Sequence, residues 1–150
     1  MSELRELYQT VILDHNKYPR NLGKPSGANR AAEGDNPLCG DQITVHLTVE
    51  NGVVKEVGFE GQGCAISTAS ASIMTDTVKG RSADEVRALF DEFHGLVTSE
   101  ATAVVDTAGL GKLAVFAGVR EFPMRVKCAT LCWHTMRSAL EGLGETVSTE

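Results

Sequence analysis

The sequence has no run of eighteen or more apolar residues, so none of its segments reads as a bilayer-spanning helix. Its opening stretch, MSELRELYQTVILDH, has neither the basic start, nor the continuous apolar segment, nor the small-residue cleavage site of an export signal, which predicts a cytoplasmic protein. Positive charge is in short supply. Fourteen Lys and Arg stand against twenty Asp and Glu, and the net charge of -6 opposes the counterion-releasing attraction behind non-specific nucleic-acid binding. Proteins or metal ions are the expected partners, with no nucleic acid and no membrane. Internal repeats, low-complexity tracts and linker-like stretches are absent, and 150 residues is an ordinary size for one domain, expected over 1–150 with a flexible polar tail over about 144–150. A chain of this size without export signals has little use for a disulfide framework, so its four cysteines point to metal binding or thiol chemistry.

Leu4, Leu7, Tyr8, Val11 and Ile12 recur at helical spacing behind Ser2, which predicts an amphipathic helix over 2–15. The following NKYPRNLGKPSGANR, rich in Asn, Gly and Pro, reads as an irregular loop, and hydrophobicity stays low through residue 38. Ile43, Val45, Leu47 and Val49 then alternate with Thr44, His46 and Thr48. With Asn51-Gly52 as a tight turn, this predicts a β-hairpin of strands about 42–49 and 53–60. Small residues after Cys64 predict a helix ended by Gly80, and Ser82 with Glu85 forms a capping box for a helix through about Phe93, with another to start after Ser99. A last helix is expected from about Lys127, with Ala129, Cys132, Met136, Ala139, Leu140 and Leu143 as its apolar stripe.

Cys39-Gly40-Asp41 puts a thiol and a carboxylate two residues apart in a turn before the first hairpin strand, and Cys64 follows the second strand. Pairing of the strands sets these ends side by side, so Cys39 and Cys64 are expected to meet. Cys64 and Cys128 are each expected near a helix N-terminus, where unpaired N–H groups and the helix dipole favour thiolate. Three thiolates and one carboxylate suit tetrahedral zinc, or the iron of an iron-sulfur cluster, better than magnesium or calcium. The aspartate is the ligand most able to exchange. Arg125 and Lys127, beside Cys128, are placed to offset the excess negative charge. Cys132, one helical turn after Cys128, is either a spare thiol or an apolar filler of the core. His46, His94 and His134 are expected to be solvated, and His15 to close the first helix.

Four blocks in order, LDHNKYPRN at 13–21, NPLCGDQITV at 36–45, FEGQGCAISTASAS at 59–72 and RVKCATLCW at 125–133, resemble the U-type iron-sulfur cluster assembly family, which comprises SufU, IscU and the N-terminal domain of NifU. The resemblance spans nearly the whole chain. It implies an α+β fold with a small antiparallel sheet covered by helices, and Cys39, Asp41, Cys64 and Cys128 as ligands of a metal or cluster. It also implies a pyridoxal-phosphate cysteine desulfurase of the SufS or IscS type as sulfur donor, and apo iron-sulfur proteins or carriers as clients. Where the scaffold branch of the family has histidine before its third cysteine, this chain has Lys127, and Glu-Phe-Pro-Met-Arg stands where that branch has its chaperone motif. Both features, with the long segment between Cys64 and Cys128, resemble SufU, whose members hold zinc and accept persulfide sulfur. The expected function is therefore sulfur acceptance at Cys39, with cluster assembly on the same four ligands as the alternative.

Overall fold

A computed structural model describes residues 2–37, 39–100, 102–142 and 147–148, with side chains described from residue 9 to residue 142 within those ranges. Helix α1 spans Ser2–Lys17, and Val11 and Ile12 pack on the core; the Ser2 cap and the contacts expected of Leu4, Leu7 and Tyr8 lie outside the described side chains. Strands β1 (Arg30–Asn36), β2 (Asp41–Glu50) and β3 (Val53–Gln62) follow, then helices α2 (Ala65–Val78) and α3 (Ala83–Val97). A 3-10 stretch over Gly111–Glu121 leads into α4 (Pro123–Leu140), and β4 is the pair Val147–Ser148. The sheet order is β3-β2-β1-β4, antiparallel except for the short parallel pairing of β4 on Gly34 and Asp35. The α+β expectation holds. Except for those two paired residues, the tail expected to be flexible lies outside the described residues, as does Leu143. Among the described residues, no helix is long and apolar enough to cross a membrane.

The hairpin forms as its pattern predicts, because Asn51 and Gly52 both take positive φ, 52° and 74°, the turn whose twist matches paired strands. Its inner face, Ile43, Val45, Leu47, Val54, Val57 and Phe59, is buried under the helices. β1 is the strand that hydrophobicity does not reveal. Its inward residues are Ala32, Gly34 and Asn36, and α4 presses so closely on them that a Cβ at Gly34 would fall 2.0 Å from Thr135 Oγ1. Smallness, not hydrophobicity, is what this position requires.

The helices differ from expectation at their ends. The capping box of Ser82 and Glu85 is present, but α3 continues four residues past Phe93, and residues 102–110 hold turns where a third helix was expected. α4 starts at Pro123, well ahead of Lys127, because proline needs no N–H partner in the first helical turn. Trp133 of α4 is fully buried and stacks on Phe93 with centroids 5.0 Å apart, and Phe93 meets Phe116 edge-on.

His15 is likewise fully buried. Its Nδ1 shares a 2.7 Å hydrogen bond with Ser72 Oγ, which also accepts the Arg20 N–H, and Nε2 has no partner among the described residues. Burial chiefly, with the Arg20 and Lys112 charges, pushes the pKa of His15 down; Asp14 and Asp76 oppose this. The fold therefore favours the neutral ring, and the unfolded chain takes up the proton first as pH falls below about 6.5. Stability should be complete above that value and decline below it. Thermal unfolding followed from about pH 7.5 to about pH 5.5 should show a falling midpoint, and His15→Gln should flatten part of that slope. His134, its pKa also lowered chiefly by burial, contributes in the same direction. An unchanged slope in the variant would remove His15 as its source.

Candidate metal centre

The turn between β1 and β2 carries Cys39, whose N–H donates to Asn36 O at 3.2 Å, and Gly40 follows at φ 72°, a backbone angle natural to glycine. Asp41 opens β2 opposite Asn36 and is fully buried. Its Oδ1 accepts the Cys64 N–H at 2.9 Å, and its Oδ2 lies 4.0 Å from Cys64 Sγ. Such an approach needs glycine next door, because a Cβ on Gly63 would stand 2.7 Å from Asp41 Oδ1. Cys64 is the N-cap of α2, and its exposed sulfur accepts the Ser67 N–H at 3.4 Å.

Cys128 reaches the same point from α4, with its Sγ 3.3 Å from Cys39 Sγ. Donor atoms of Cys39, Asp41 and Cys128 all lie within 4.8 Å of one another. The structure thus groups these three, with Cys64 joined to them through Asp41. The hairpin geometry places Cys64 against Asp41; the contact of Cys39 is with Cys128. A second difference concerns Cys128 itself. It is the sixth residue of α4, beyond the four N–H groups that a helix leaves unpaired, and it is 3% exposed. Burial foremost, then hydrogen bonds with Cys39 and Asp41 and the neighbouring Cys64, pushes its thiol strongly up. Neither its place on α4 nor its burial primes Cys128 as a thiolate.

A cation is what the donors fit. Tetrahedral zinc with sulfur ligands at about 2.3 Å sets two sulfurs about 3.8 Å apart, so the Cys39–Cys128 pair needs only slight spreading. A bound cation would also favour the thiolate of Cys128, which burial opposes.

The other predicted residues are dispersed. Arg125 is exposed and its guanidinium lies over the Phe122 ring, 4.7 Å from the centroid; Lys127 is half-buried beside Cys128; among the described residues neither makes an ion pair. Cys132 is buried, bonds to Ser70 Oγ at 3.4 Å and has its thiol pushed up to about 12 by burial. The histidines are not the solvated groups expected: His46 is buried with Nε2 2.8 Å from Glu60 Oε1, and the rings of His94 and His134 pack on Phe90. His46 is covered because the segment through Gly23 and Pro25 crosses the outer face of the sheet at Gly58, its neighbour in register. Asn36 was not singled out among the candidate residues. It is fully buried, its Nδ2 lies 4.0 Å from Cys128 Sγ, and its Oδ1 has no partner among the described residues. Its only signal in the sequence is its place three residues before Cys39.

Residues 7–129 match the family described as NifU-like N terminal domain. The chain is 38% identical over 141 residues to the iron-sulfur cluster assembly scaffold protein IscU of Streptococcus pyogenes, covering 94% of this chain and 87% of the relative. It is 35% identical over 139 residues to the zinc-dependent sulfurtransferase SufU of Bacillus subtilis, covering 93% of this chain and 92% of the relative. Among solved structures, a putative scaffold protein for the SUF system from Fervidobacterium islandicum superposes with a TM-score of 0.79 at 33% identity, over 87% of this chain and 93% of that one. With its sheet, its helices and its sequence all in agreement, the chain belongs to the NifU-like N-terminal domain family.

Proposed function

We propose that this protein serves iron-sulfur cluster assembly by accepting persulfide sulfur from a cysteine desulfurase at Cys39, within a zinc site formed by Cys39, Asp41, Cys64 and Cys128 as one unit of the 1–150 chain. The observation that carries this reading is the convergence of Cys39, Asp41 and Cys128 within 4.8 Å, with Cys64 hydrogen-bonded to that same aspartate. The likeness to a protein named as a zinc-dependent sulfurtransferase supports zinc and sulfur transfer together. Zinc would hold the sulfurs as thiolates and mask their nucleophilicity.

Cys39 is the acceptor because it combines access with freedom. It is half-buried on a glycine-containing turn, whereas Cys128 is buried and the Cys64 sulfur is engaged as a helix cap. In the transfer, the Cys39 thiolate attacks the terminal sulfur of the donor persulfide and a new S–S bond forms on Cys39. The donor S–S bond breaks, the donor departs as a thiolate, and the proton of the terminal sulfur travels with that sulfur. Cleavage of the carbon–sulfur bond belongs to the desulfurase, so this chain is an acceptor and not an enzyme in its own right. Arg125 and Lys127 would offset the negative charge of the site and of the incoming persulfide.

Zinc content of the protein purified without added metal, and desulfurase turnover with and without it, test the proposal. Cys39→Ala should abolish stimulation of the desulfurase, and mass spectrometry should find the added sulfur on Cys39 of the unaltered protein. Full stimulation by the variant would exclude Cys39 as acceptor. The relative named as a scaffold favours a second reading, in which the same ligands receive iron and sulfide as cargo. Anaerobic reconstitution followed by transfer to an apo-ferredoxin would support that reading; iron bound without transfer would count against it.

A further inference from the structure

Two of the sulfurs in the site lie 3.3 Å apart, yet a sulfur acceptor must present one of them to the donor and withhold the other. Exposure separates them only in part, since a site that opens for transfer uncovers both. We infer that Asn36 makes the selection: its side-chain amide donates to the Cys128 sulfur and quiets it, leaving Cys39 as the nucleophile. This rests on the reading of the site as a zinc-thiolate centre and deepens it by naming a residue that determines which sulfur reacts.

Asn36 is placed for this at the end of β1. Its main-chain carbonyl accepts the Cys39 N–H at 3.2 Å, so the residue shapes the turn that carries Cys39 without touching that sulfur through its amide. Its side chain points the other way, with Nδ2 4.0 Å from Cys128 Sγ. The distance is long for a neutral thiol, and a charged sulfur draws a donor closer. The residue is fully buried, and its Oδ1 has no partner among the described residues, so the amide is held in a polar position that the fold itself does not use. Buried polar groups without a partner are uncommon and point to a role beyond packing. A hydrogen bond to a metal-bound thiolate withdraws electron density from sulfur, which weakens its attack on electrophiles and tunes its bond to the metal. Cys64 is quieted in a parallel way by the Ser67 N–H at 3.4 Å. Among the described residues, no hydrogen-bond donor other than the Cys128 thiol reaches the Cys39 sulfur.

The test uses zinc-loaded full-length protein and needs no desulfurase. Iodoacetamide labelling, resolved by peptide mass spectrometry, should modify Cys39 well ahead of Cys128. Asn36→Leu, which keeps the branching at Cγ but is larger and has no donor, should raise the Cys128 labelling rate about tenfold or more and leave the Cys39 rate near its original value. Asn36→Asp, which keeps the shape and offers only acceptors, serves should the leucine variant fail to fold. With cobalt(II) in excess in place of zinc, the sulfur-to-cobalt charge-transfer band should move to lower energy in either variant, a change that a purely structural role would not produce. Unchanged labelling ratios and an unmoved band in a folded, metal-bound variant would overturn the role of Asn36. Failure of the unaltered protein to retain zinc or cobalt would instead overturn the metal reading on which it stands.

Discussion

If the proposed site holds zinc, Cys128→Ala should abolish tight zinc binding while leaving the metal-free fold nearly intact. Structural zinc sites of four ligands bind with about 10–16 kcal/mol of apparent free energy, so one ligand is worth roughly 3–4 kcal/mol, or two to three orders of magnitude in affinity. Cys128 is the ligand whose loss the site can least replace, because it is the one candidate donor that α4 contributes to the group and its sulfur sits against Cys39. In the metal-free chain the same thiol is buried, and burial holds it in the neutral form. Alanine there removes one polarizable atom, at a cost on the order of 1 kcal/mol. Thermal unfolding with and without zinc separates the two effects: zinc should raise the midpoint of the unaltered protein, as any ligand bound only by the folded state does, and should scarcely move that of the variant. Cys132→Ala is the control. It lies one helical turn away but bonds to Ser70, so it should retain zinc. The reverse pattern, zinc lost with Cys132 and kept without Cys128, would refute the assignment.

Gly34→Ala should be strongly destabilising, because it forces apart the sheet and α4. The added Cβ would stand 2.0 Å from Thr135 Oγ1, 3.1 Å from Leu131 Cδ1 and 3.2 Å from Ile43 Cγ2, all three on buried residues. Thr135 is not a free end that can swing aside, because its hydroxyl donates to Leu131 O at 2.7 Å. Relief requires β1 and α4 to part, and overpacking of this kind costs about 1–3 kcal/mol or more. The metal centre should suffer as well, since β1 leads into the Cys39 turn and α4 holds Cys128. Denaturant unfolding and zinc retention are the measurements. Thr135→Ala, introduced together with Gly34→Ala, removes the nearest clashing atom and should recover part of the lost stability. No loss in the single variant, or no recovery in the pair, would show that the approach of β1 to α4 is not what demands glycine.

The hairpin and the capping box were legible in the sequence because their signals are local: alternation, Asn51-Gly52, and a serine three residues before a glutamate. β1 was not, since its inward residues Ala32, Gly34 and Asn36 are small or polar, Gly34 because α4 leaves no room for a Cβ, and such residues carry no hydrophobic alternation. Local reasoning paired Cys64 with Cys39, whereas Cys64 bonds to Asp41 through its N–H and the Cys39 sulfur lies against Cys128. The Cys39–Cys128 approach depends on α4 packing against β1, a long-range arrangement that hydrophobic pattern does not encode. For the same reason Asn36 was missed: its importance lies in a neighbour ninety-two positions away. His46 read as solvated because strand alternation shows which face a residue is on, but not that the segment through Gly23 and Pro25 passes over that face.

The carboxylate of Asp41 fastens the end of one element to the start of another: Oδ1 holds the N–H of the residue that caps α2, while Oδ2 faces the sulfur of that same residue. A metal bound through Oδ2 alone leaves this fastening untouched, and a metal that also takes Oδ1 draws electron density from the oxygen that accepts the bond and so weakens it. The amide hydrogen of Cys64 is thus a resident reporter, and faster exchange with solvent on metal binding would mark engagement of Oδ1, without any probe being attached to the protein.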